Sequence, residues 1–312
     1  MELDVFFAGT AGSAPTPRRG LPALLVRRGG DRLLFDCGEG TQRQLVRSIG
    51  LPDLGDVFLT HFHLDHWLGL PGMLKTFDLR GREVPLTVHG PSGMGELMRM
   101  LRPVVGRVAY PLQVDELAPG DTVERDGYRV AAFAVEHRVP ALGYALFEEE
   151  RPGRFDAALA ERLGVRPGPD FGRLQRGEGV DGVSPEQVMG PARPGRKLVV
   201  SGDTAPSAAL AVAAHDADLL VHEATFVEEE RERAVQTAHA TATQAAELAR
   251  DAGVRMLALT HLSTRYGGRE IRDEARAVFP NTVVPRDFDT IEIPLPERGE
   301  PQLVRWEEEV AT

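Results

Sequence analysis

The sequence predicts an α/β fold in which mixed β-sheets are covered by helices. Short apolar runs bounded by Gly, Pro or Asp recur along the 312 residues, and such runs are typical of buried strands. Segments with helical spacing lie between them. The early part is rich in strands joined by hairpins, whereas strands and helices alternate in the later part, which favours helices packed on sheets. With 42% apolar residues, the chain can bury one large core or two smaller ones.

The individual elements follow from these runs in chain order. The predicted strands are LDVFF, ALLV, RLLFD, DVFLT, LTVHG, YRVAAFAV, GYALF, KLVVSGD, ADLLVHE, RMLALTH and TIEIPL. Helical spacing predicts helices over residues 41–49, 92–102, 156–163, 206–215, 241–252 and 268–278. Many of the strands lack polar alternation, which indicates burial on both faces.

One segment, residues 151–178, differs from the rest in composition. It contains five Gly, three Pro, six Arg and four acidic residues, and it lies between the predicted strands GYALF and KLVVSGD. Long irregular insertions in compact domains are usually functional or disordered. The segment is therefore either a flexible surface loop with a short helix or a protruding arm that contacts an anionic polymer.

Charge and cysteine content exclude several classes of protein. The formal net charge of −11 excludes a general basic coat for nucleic acid, although it allows a local basic patch. Cys37 is the only cysteine, so no intrachain disulfide can form, which suits a reducing cytoplasm. The first ten residues, MELDVFFAGT, resemble a strand more than a signal peptide, and no apolar stretch approaches the roughly 20 residues of a membrane span. We expect a cytoplasmic protein that does not act at a membrane.

The segment HFHLDH at residues 61–66 predicts a metal site. His61 and His63 are two residues apart in extended chain, so their imidazoles point the same way and can bind one metal. Asp65 and His66 follow where the loop turns into a helix, and they face a second direction. Imidazole and carboxylate ligands suit zinc, with manganese or iron as alternatives. One loop can thus supply two ligands to each of two metals.

Three further residues complete the ligand set. His137, Asp203 and His261 each follow the carboxyl end of an apolar strand, as His61 does. Ligands of open α/β sheets gather at such ends. Two divalent metals, two aspartates and a bridging hydroxide would leave the site with a charge of about +1. Such a site attracts an anion, for example a phosphodiester.

The roles of Glu223 and His239 stay open at this point. Thr241 and Gln244 form a capping-box pattern, which places His239 just before a helix N-terminus. His239 is then either a proton donor oriented by Glu223 or a plain residue before the cap, with Glu223 as a structural hydrogen-bond partner. His89 and His215 have no evident partner and are interpreted as structural.

The motifs now assembled carry a resemblance to a known family. HFHLDH resembles the HxHxDH motif of the metallo-β-lactamase superfamily. FFAGTAGSAPTPRRG, LFDCGEGTQRQL, GLPG, HEATF and THLSTRY are similar to segments of the short-form ribonuclease Z (tRNase Z) family. The resemblance extends from about residue 3 to the strand at 289–294. The chain departs from that family where Leu64 replaces the usual Gly, where Ala240 replaces Ser, and in the stretch TFDLRGRE.

This resemblance implies a four-layer αββα sandwich over residues 1–312, a single domain with a flexible arm at 151–178. It implies a metal-dependent endoribonuclease that removes the 3′ trailer from precursor tRNA. The implied metal content is two Zn²⁺ per subunit. His61, His63 and His137 would hold one ion. Asp65, His66 and His261 would hold the other, and Asp203 would bridge them.

The resemblance also implies catalytic and substrate-binding residues. Asp65 would be the general base, and Glu223 with His239 the proton-donating pair. The arm of one subunit would grip tRNA for the active site of the other, so a homodimer is implied and no DNA substrate is expected. The candidate substrate-binding residues are Arg154, Arg173 and Arg176 in the arm and Ser263 and Arg265 in THLSTRY.

Two alternatives remain open from the sequence. A related metallo-hydrolase of small phosphodiesters or sulfate esters would keep all seven ligands but would not need the arm. A non-catalytic, metal-stabilised binding module would not need a general base such as Asp65. Metal-dependent turnover distinguishes the binding module from both enzymes.

Overall fold

The computed structural model describes residues 1–307, and it confirms the four-layer αββα sandwich. Within these residues, one sheet has eight strands and the other has seven, and both are mixed. The first sheet has the order β15-β14-β1-β2-β3-β4-β5-β6, in which the pairs from β3 to β6 are parallel. Its strands are β1 (Leu3–Gly9), β2 (Ala23–Arg28), β3 (Asp31–Phe35), β4 (Asp56–Phe58), β5 (Leu86–Gly90), β6 (Leu112–Glu116), β14 (Thr290–Glu292) and β15 (Gln302–Val304).

The second sheet has the order β13-β12-β11-β10-β9-β8-β7. The pairs from β10 to β13 are parallel, whereas β7, β8, β9 and β10 pair antiparallel. Strands β8, β10 and β12 consequently run in one direction and end at the same edge. Its strands are β7 (Thr122–Arg125), β8 (Tyr128–Ala134), β9 (Leu142–Glu148), β10 (Lys197–Val200), β11 (Leu219–Glu223), β12 (Met256–Thr260) and β13 (Thr282–Val283).

The core lies between the two sheets. Val5 and Phe7 from the first sheet and Tyr144, Leu146 and Val221 from the second belong to one buried cluster. Successive side chains of a strand point to opposite faces, so the alternate residues of these strands contact the outer helices instead. Burial on both faces explains why many of the strands read as continuous apolar runs.

Helices cover the outer face of each sheet. The apolar side chains of α1, α3 and α4 pack on the first sheet, and those of α8, α10 and α11 pack on the second. The helices are α1 (Thr41–Ser48), α2 (Leu64–Trp67), α3 (Leu70–Leu79), α4 (Met94–Val105), α8 (Ala208–Ala214), α9 (Arg231–Thr237), α10 (Ala242–Asp251) and α11 (Gly268–Arg276). None of the helices in residues 1–307 has the length and apolar character to cross a membrane.

The capping box predicted before α10 is confirmed. Thr241 Oγ1 accepts a hydrogen bond from the Gln244 amide at 3.1 Å, and Gln244 Oε1 accepts one from the Thr241 amide at 3.0 Å. Two of the amide groups that a helix N-terminus leaves unpaired are thereby satisfied. The helix start is fixed, and with it the position of His239 two residues earlier.

The inserted segment is a small folded unit with its own core. It contains α5 (Ala157–Arg162), α6 (Pro169–Gln175) and α7 (Pro185–Val188). Val165, Leu174 and Val183 are buried together with further apolar side chains. The backbones of Arg151 and Arg193 pair through two hydrogen bonds of 2.8 and 2.9 Å, which closes the unit. The folded unit thus spans residues 151–193 and continues past residue 178.

Candidate metal centre

Seven predicted ligand side chains meet at the edge where β4, β8, β10 and β12 end. His61, His63 and the short helix α2 follow β4, and His137 follows β8. Asp203 and His261 follow β10 and β12. Strands that run in one direction deliver their following loops to one edge, which is why residues up to 200 positions apart come together.

The first group of donors surrounds His63. Its Nδ1 lies 2.9 Å from Nε2 of His61 and 3.2 Å from Nε2 of His137. Nε2 of His61 is also 3.7 Å from Oδ2 of Asp203. The ligand atoms of these four side chains all lie within 4.8 Å of one another.

The second group lies on the other side of Asp203. His66 and His261 face each other with 3.3 Å between their Nε2 atoms. Oδ2 of Asp65 is 3.6 Å from Nε2 of His66 and 3.4 Å from Nε2 of His261. Asp203 directs Oδ2 to His66 and Oδ1 to His261, each at 3.3 Å. Asp203 is therefore the only carboxylate of residues 1–307 that contacts imidazoles of both groups.

The buried carboxylate of Asp36 orients the imidazoles of His66 and His61 from the side that faces away from the centre. Nδ1 of His66 lies 2.7 Å from Oδ2 of Asp36, and Nδ1 of His61 lies 3.0 Å from Oγ1 of Thr60. The Thr60 hydroxyl donates in turn to Asp36. These hydrogen bonds place the ring proton of His61 and of His66 on Nδ1, because only then are all their partners satisfied. The Nε2 lone pairs are left facing the centre.

The carboxylate of Glu223 orients the imidazoles of His261 and His239 in a similar way. Nδ1 of His261 lies 2.8 Å from Oγ1 of Thr225, whose hydroxyl donates to Oε2 of Glu223 at 2.6 Å. The other oxygen of Glu223 lies 2.7 Å from Nδ1 of His239. Glu223 thus orients His261 through Thr225 and His239 directly. In the first group of donors, Nδ1 of His137 donates to the Ala238 carbonyl at 3.0 Å.

Electrostatics keep both aspartates of the centre ionised. Burial acts to raise the pKa of Asp203, but His261 and His66 outweigh it and hold that pKa well below its ordinary value. Burial also opposes ionisation of Asp65, and the contacts with His261 and His66 lower its pKa nonetheless. Both groups therefore present negative charge at neutral pH, which a cation site requires.

The pKa values of the His61 and His66 imidazoles are shifted in opposite directions. Burial lowers the pKa of His61 well below its ordinary value, and the charge of His66 adds to this effect. Burial acts in the same direction on His66, but Asp203 and Asp36 raise its pKa well above the ordinary value. A cation must displace the proton of His66, so metal affinity falls as the pH is lowered.

His239 is held protonated near the centre. Burial acts to lower its pKa, but the charge of Glu223 and their hydrogen bond raise it to about 9. Nδ1 of His239 is 3.9 Å from Oδ2 of Asp203, so the ring borders the ligand cluster. His239, Asp203 and His261 also form a compact group of possible ligands. The structure therefore places His239 where either a proton donor or an additional ligand would be.

The donor set fits two divalent cations. Tetrahedral zinc, bound to nitrogen at about 2.0–2.1 Å, spaces neighbouring donors about 3.3–3.4 Å apart, and the donor contacts above range from 2.9 to 3.7 Å. Oδ1 of Asp203 is buried and has no hydrogen-bond partner among residues 1–307. Inward lone pairs and a buried carboxylate oxygen without a hydrogen bond are costly in the absence of a cation. The side chains present are those that a binuclear site needs.

The predicted substrate-binding residues lie in two places outside the cluster. Arg154, Arg173 and Arg176 are exposed on the inserted unit, and the latter two pair with Glu178 at 3.2 and 3.4 Å. Ser263 and Arg265 follow His261 on its loop. Arg265 forms an ion pair of 2.9 Å with Glu230.

Sequence reasoning missed the residues behind the ligands. Asp36 lay within the segment LFDCGEGTQRQL, but neither it nor Thr60 and Thr225 had been given a role. Asp36 has a left-handed backbone with φ of 58°, an uncommon conformation that often marks functional sites. A polar residue at the end of an apolar run was the signal available for Asp36.

Two of the three departures from the family motifs, Leu64 and Ala240, lie at the surface and in a buried backbone segment. Leu64 is 61% exposed, so it neither faces the core nor fills the metal loop. Ala240 is buried, and its carbonyl accepts a hydrogen bond from the Phe226 amide at 3.3 Å. His89, interpreted as structural, lies away from the cluster and contacts Asp56 at 2.8 Å and Asp115 at 3.2 Å.

Comparison with known proteins agrees with this geometry. The family model of the metallo-beta-lactamase superfamily matches residues 18–261. A ribonuclease Z of Myxococcus xanthus is 49% identical over 302 residues, covering 94% of this chain and 98% of the relative. A ribonuclease Z of Methanosarcina acetivorans is 45% identical over 300 residues, with 94% and 98% covered. The crystal structure of human tRNase Z, short form, is 28% identical, with a TM-score of 0.69 and coverage of 93% and 99%.

The sandwich and the histidine–aspartate centre at its edge therefore define a member of the metallo-β-lactamase superfamily. The sequence identity to these relatives extends over nearly the full chain, and it narrows this class to one family. Within the superfamily, the chain belongs to the ribonuclease Z family.

Proposed function

We propose that this protein is a metal-dependent endoribonuclease that removes the 3′ trailer from precursor tRNA. The observation that carries the proposal is the donor cluster with the adjacent Glu223–His239 pair, in a chain of the ribonuclease Z family. A cationic centre of this kind suits a phosphodiester, and a separate protonated imidazole suits the departure of an alkoxide.

The proposed cofactor is two Zn²⁺ per subunit, with Mn²⁺ or Fe²⁺ as alternatives. Zinc suits imidazole and carboxylate ligands. When bound, two such ions lower the pKa of a water and stabilise the negative charge that develops on the attacked phosphate. The first ion would be held by His61, His63 and His137, the second by Asp65, His66 and His261, and Asp203 would contact both.

Asp65 is the proposed general base. Its Oδ2 accepts a hydrogen bond from the Ser13 amide at 2.8 Å and lies beside His66 and His261, so its orientation is fixed. The lowered pKa keeps the carboxylate ready to accept a proton, but it also makes Asp65 a weak base. Proton transfer to Asp65 therefore needs an attacking water that is itself acidified.

His239 is the proposed general acid. With its pKa raised to about 9, the ring carries two protons at neutral pH. Glu223 holds the proton on Nδ1, which leaves the Nε2 proton for the leaving oxygen. Because His239 has its own carboxylate partner, it can lose and regain this proton without moving.

The inserted unit is the proposed tRNA-binding arm. It joins the body at the end of β9 opposite to the metal centre, because Leu142 contacts the site loop at Thr60 whereas Glu148 lies at the far end of the strand. At about 3.3 Å per residue, β9 separates the base of the arm from the centre by about 20 Å. Arg154, Arg173 and Arg176 project from this unit and would contact phosphates.

This placement supports a homodimer. An arm that starts at the far end of the sheet is better placed to hold tRNA for the centre of a second subunit than for its own. Between residues 151 and 193 the arm carries seven arginines and six acidic residues, although the whole chain has a net charge of −11. Ser263 and Arg265 would contact RNA beside the centre. We place the protein in the cytoplasm, because its single cysteine, Cys37, is buried and unpaired.

Cleavage of a defined precursor tests the proposal. A precursor tRNA with a 3′ trailer is incubated with the protein before and after treatment with a chelator, and the new 3′ end is mapped. We expect cleavage at the end of the acceptor stem that the chelator abolishes and added Zn²⁺ restores. Hydrolysis of a small chromogenic phosphodiester without cleavage of the precursor would assign the centre to small substrates instead.

A further inference from the structure

A groove with a cavity volume of about 570 Å³ is lined in part by residues 15–20, which directly follow the segment that contacts Asp65. Three parts of the chain form it: the loop at 15–20, the exposed face of α1, and the segment at 286–288 with Trp306. We call it the basic groove. Its charged and aromatic lining residues are Arg18, Arg19, Glu39, Arg43, Arg47, Arg286, Asp287, Phe288 and Trp306.

Most of the positive charge in the basic groove is not neutralised. Within residues 1–307, the guanidinium groups of Arg18, Arg43 and Arg286 have no hydrogen-bond acceptor and no ion-pair partner, and all three side chains are exposed. Arg43 and Arg47 are four residues apart on one face of α1, a like-charge spacing that weakens a helix. Three exposed arginines without a partner among residues 1–307, clustered in one groove, indicate an anionic ligand.

The two acidic residues of the basic groove cancel only part of this charge, because they stand against five arginines. The Asp287 carboxylate accepts hydrogen bonds from the Thr10 hydroxyl at 2.7 Å, the Gly20 amide at 2.5 Å and the Gln44 amide group at 2.7 Å. These bonds tie the 10–20 loop to α1 and shape the floor of the groove. Glu39 is exposed at the edge.

The 10–20 loop connects the basic groove to the metal centre. Ser13, two residues before the groove begins at Pro15, donates its amide hydrogen to Oδ2 of Asp65 at 2.8 Å. The Thr10 carbonyl accepts the Leu262 amide at 3.1 Å, directly after His261. A chain that leaves the centre over this loop enters the groove.

Trp306 supplies an aromatic surface in the basic groove. Its ring packs edge-on against Phe288 with 4.9 Å between centroids, and the residue remains partly exposed. Positive grooves that carry such aromatic side chains are typical of sites for single-stranded nucleic acid, because every base can stack on them. A cavity of this volume falls in the range of small-ligand pockets and has room for a short stretch of single strand.

We propose that the basic groove binds the single-stranded 3′ trailer of the substrate, immediately downstream of the scissile phosphate. The proposal rests on the proposed function, which gives the substrate a duplex acceptor stem on one side of the cut and a single strand on the other. The arginines contact trailer phosphates, and Trp306 stacks on a trailer base.

Trailer length is the variable that tests this site. The double variant Arg43→Ala/Arg286→Ala removes two exposed charges of the groove. The control Arg99→Ala/Arg102→Ala removes two exposed charges from α4, which shares no lining residue with the groove. The KM for cleavage is measured on precursors with a trailer of a single nucleotide and of about ten nucleotides, a span that matches common single-strand site sizes.

We expect the wild-type protein and the control to prefer the long trailer and the groove variant to lose most of that preference, by about tenfold. The slope of log affinity against log salt for the long trailer should fall by about 1.4, since each single-strand phosphate contact contributes about 0.7. Trp306→Leu, checked by its melting temperature, should reduce the same preference. An unchanged preference overturns the proposal. An equal loss on both precursors assigns the groove to the tRNA side of the cut and also overturns it.

A binding measurement separates this proposal from the proposed function. A fluorescent, 5′-phosphorylated single-stranded oligoribonucleotide of the trailer sequence is titrated with each protein in the absence of tRNA. Binding that the groove variant loses and the control retains supports the site even if no precursor is cleaved. Cleavage of precursors by a wild-type protein that does not bind the oligonucleotide overturns the groove assignment and leaves the endonuclease intact.

Discussion

Replacing Glu223 by Gln should abolish activity at alkaline pH, because His239, the proposed general acid, would then lose its proton at a lower pH. Glu223 is buried and contacts Nδ1 of His239 at 2.7 Å, and its charge and hydrogen bond outweigh burial to raise the pKa of His239 to about 9. Gln has the same shape but no charge. Without the charge, the burial that opposes protonation of His239 is no longer offset, so its pKa falls to its ordinary value of 6.5 or below.

The size of the effect follows from the protonated fraction of His239. A general acid acts only in its protonated form, so activity is lost as the pH rises through its pKa. At pH 8, a pKa of about 9 leaves about 0.9 of the rings protonated, whereas a pKa of 6.5 leaves about 0.03. With a pKa of 6.5, the Glu223→Gln variant should thus lose roughly 30-fold at pH 8 but less than about twofold at pH 6, and a lower pKa would increase both losses.

The assay is single-turnover cleavage of precursor tRNA between pH 5.5 and 9.5 at saturating protein. The alkaline limb of the profile should move down by about two pH units or more in the variant. Asp218→Asn is the matched control, because Asp218 is a buried carboxylate paired with Arg255 at 2.6 Å away from the centre. Loss of activity by the same factor at pH 6 and pH 8 would refute the acid role of His239.

Three further predictions follow from the site. Asp65→Ala should abolish turnover while the protein remains folded, as seen by circular dichroism, and a fully active variant would contradict its role as base. Asp36→Asn should weaken metal binding about 10- to 100-fold in competition with a chromophoric chelator, because it frees the outer nitrogen of His66 and breaks the chain to His61; unchanged affinity would exclude this orienting role. The triple change of the arm arginines should weaken tRNA binding and spare hydrolysis of a small chromogenic phosphodiester, and a parallel loss of both activities would contradict the arm hypothesis. The residues changed are Arg154, Arg173 and Arg176.

The sequence predicts the architecture well where apolar periodicity is strong. All six helices expected from spacing are confirmed, and their ends differ by at most three residues, as for α4 at Met94–Val105 against 92–102. The four edge strands β6, β7, β13 and β15 were not predicted. The side chains of β6 are mostly exposed, so its sequence LQVDE has little of the apolar pattern that identifies a strand.

The inserted unit shows a second limit of sequence reasoning. Its Gly and Pro content favours a loop, and beyond the helix predicted at 156–163 its apolar residues are too scattered to give a periodic signal. Leu174 and Val183 nevertheless bury each other with residues from three short helices. Such a small core depends on how turns bring distant residues together, which local patterns do not encode.

The candidate ligands were predictable, whereas the residues that orient them were not. The predicted ligands, such as His61 and Asp203, are His or Asp residues that follow the ends of apolar strands. The orienting residues Thr60, Thr225 and the Ala238 carbonyl are common groups that become distinctive only through their distance to a ring nitrogen. The basic groove joins residues near both ends of the chain and depends in the same way on the tertiary fold.

Metal titration of the metal-free protein, followed simultaneously by bound metal per chain and by precursor cleavage, tests the central claim most directly. The seven donor side chains predict two divalent ions per chain and cleavage at the end of the acceptor stem that appears as the sites fill. His239→Asn should bind the same number of ions and cleave poorly, because the proposed mechanism uses His239 as an acid and not as a ligand. Saturation at one ion per chain, or cleavage by metal-free protein, would contradict the binuclear account.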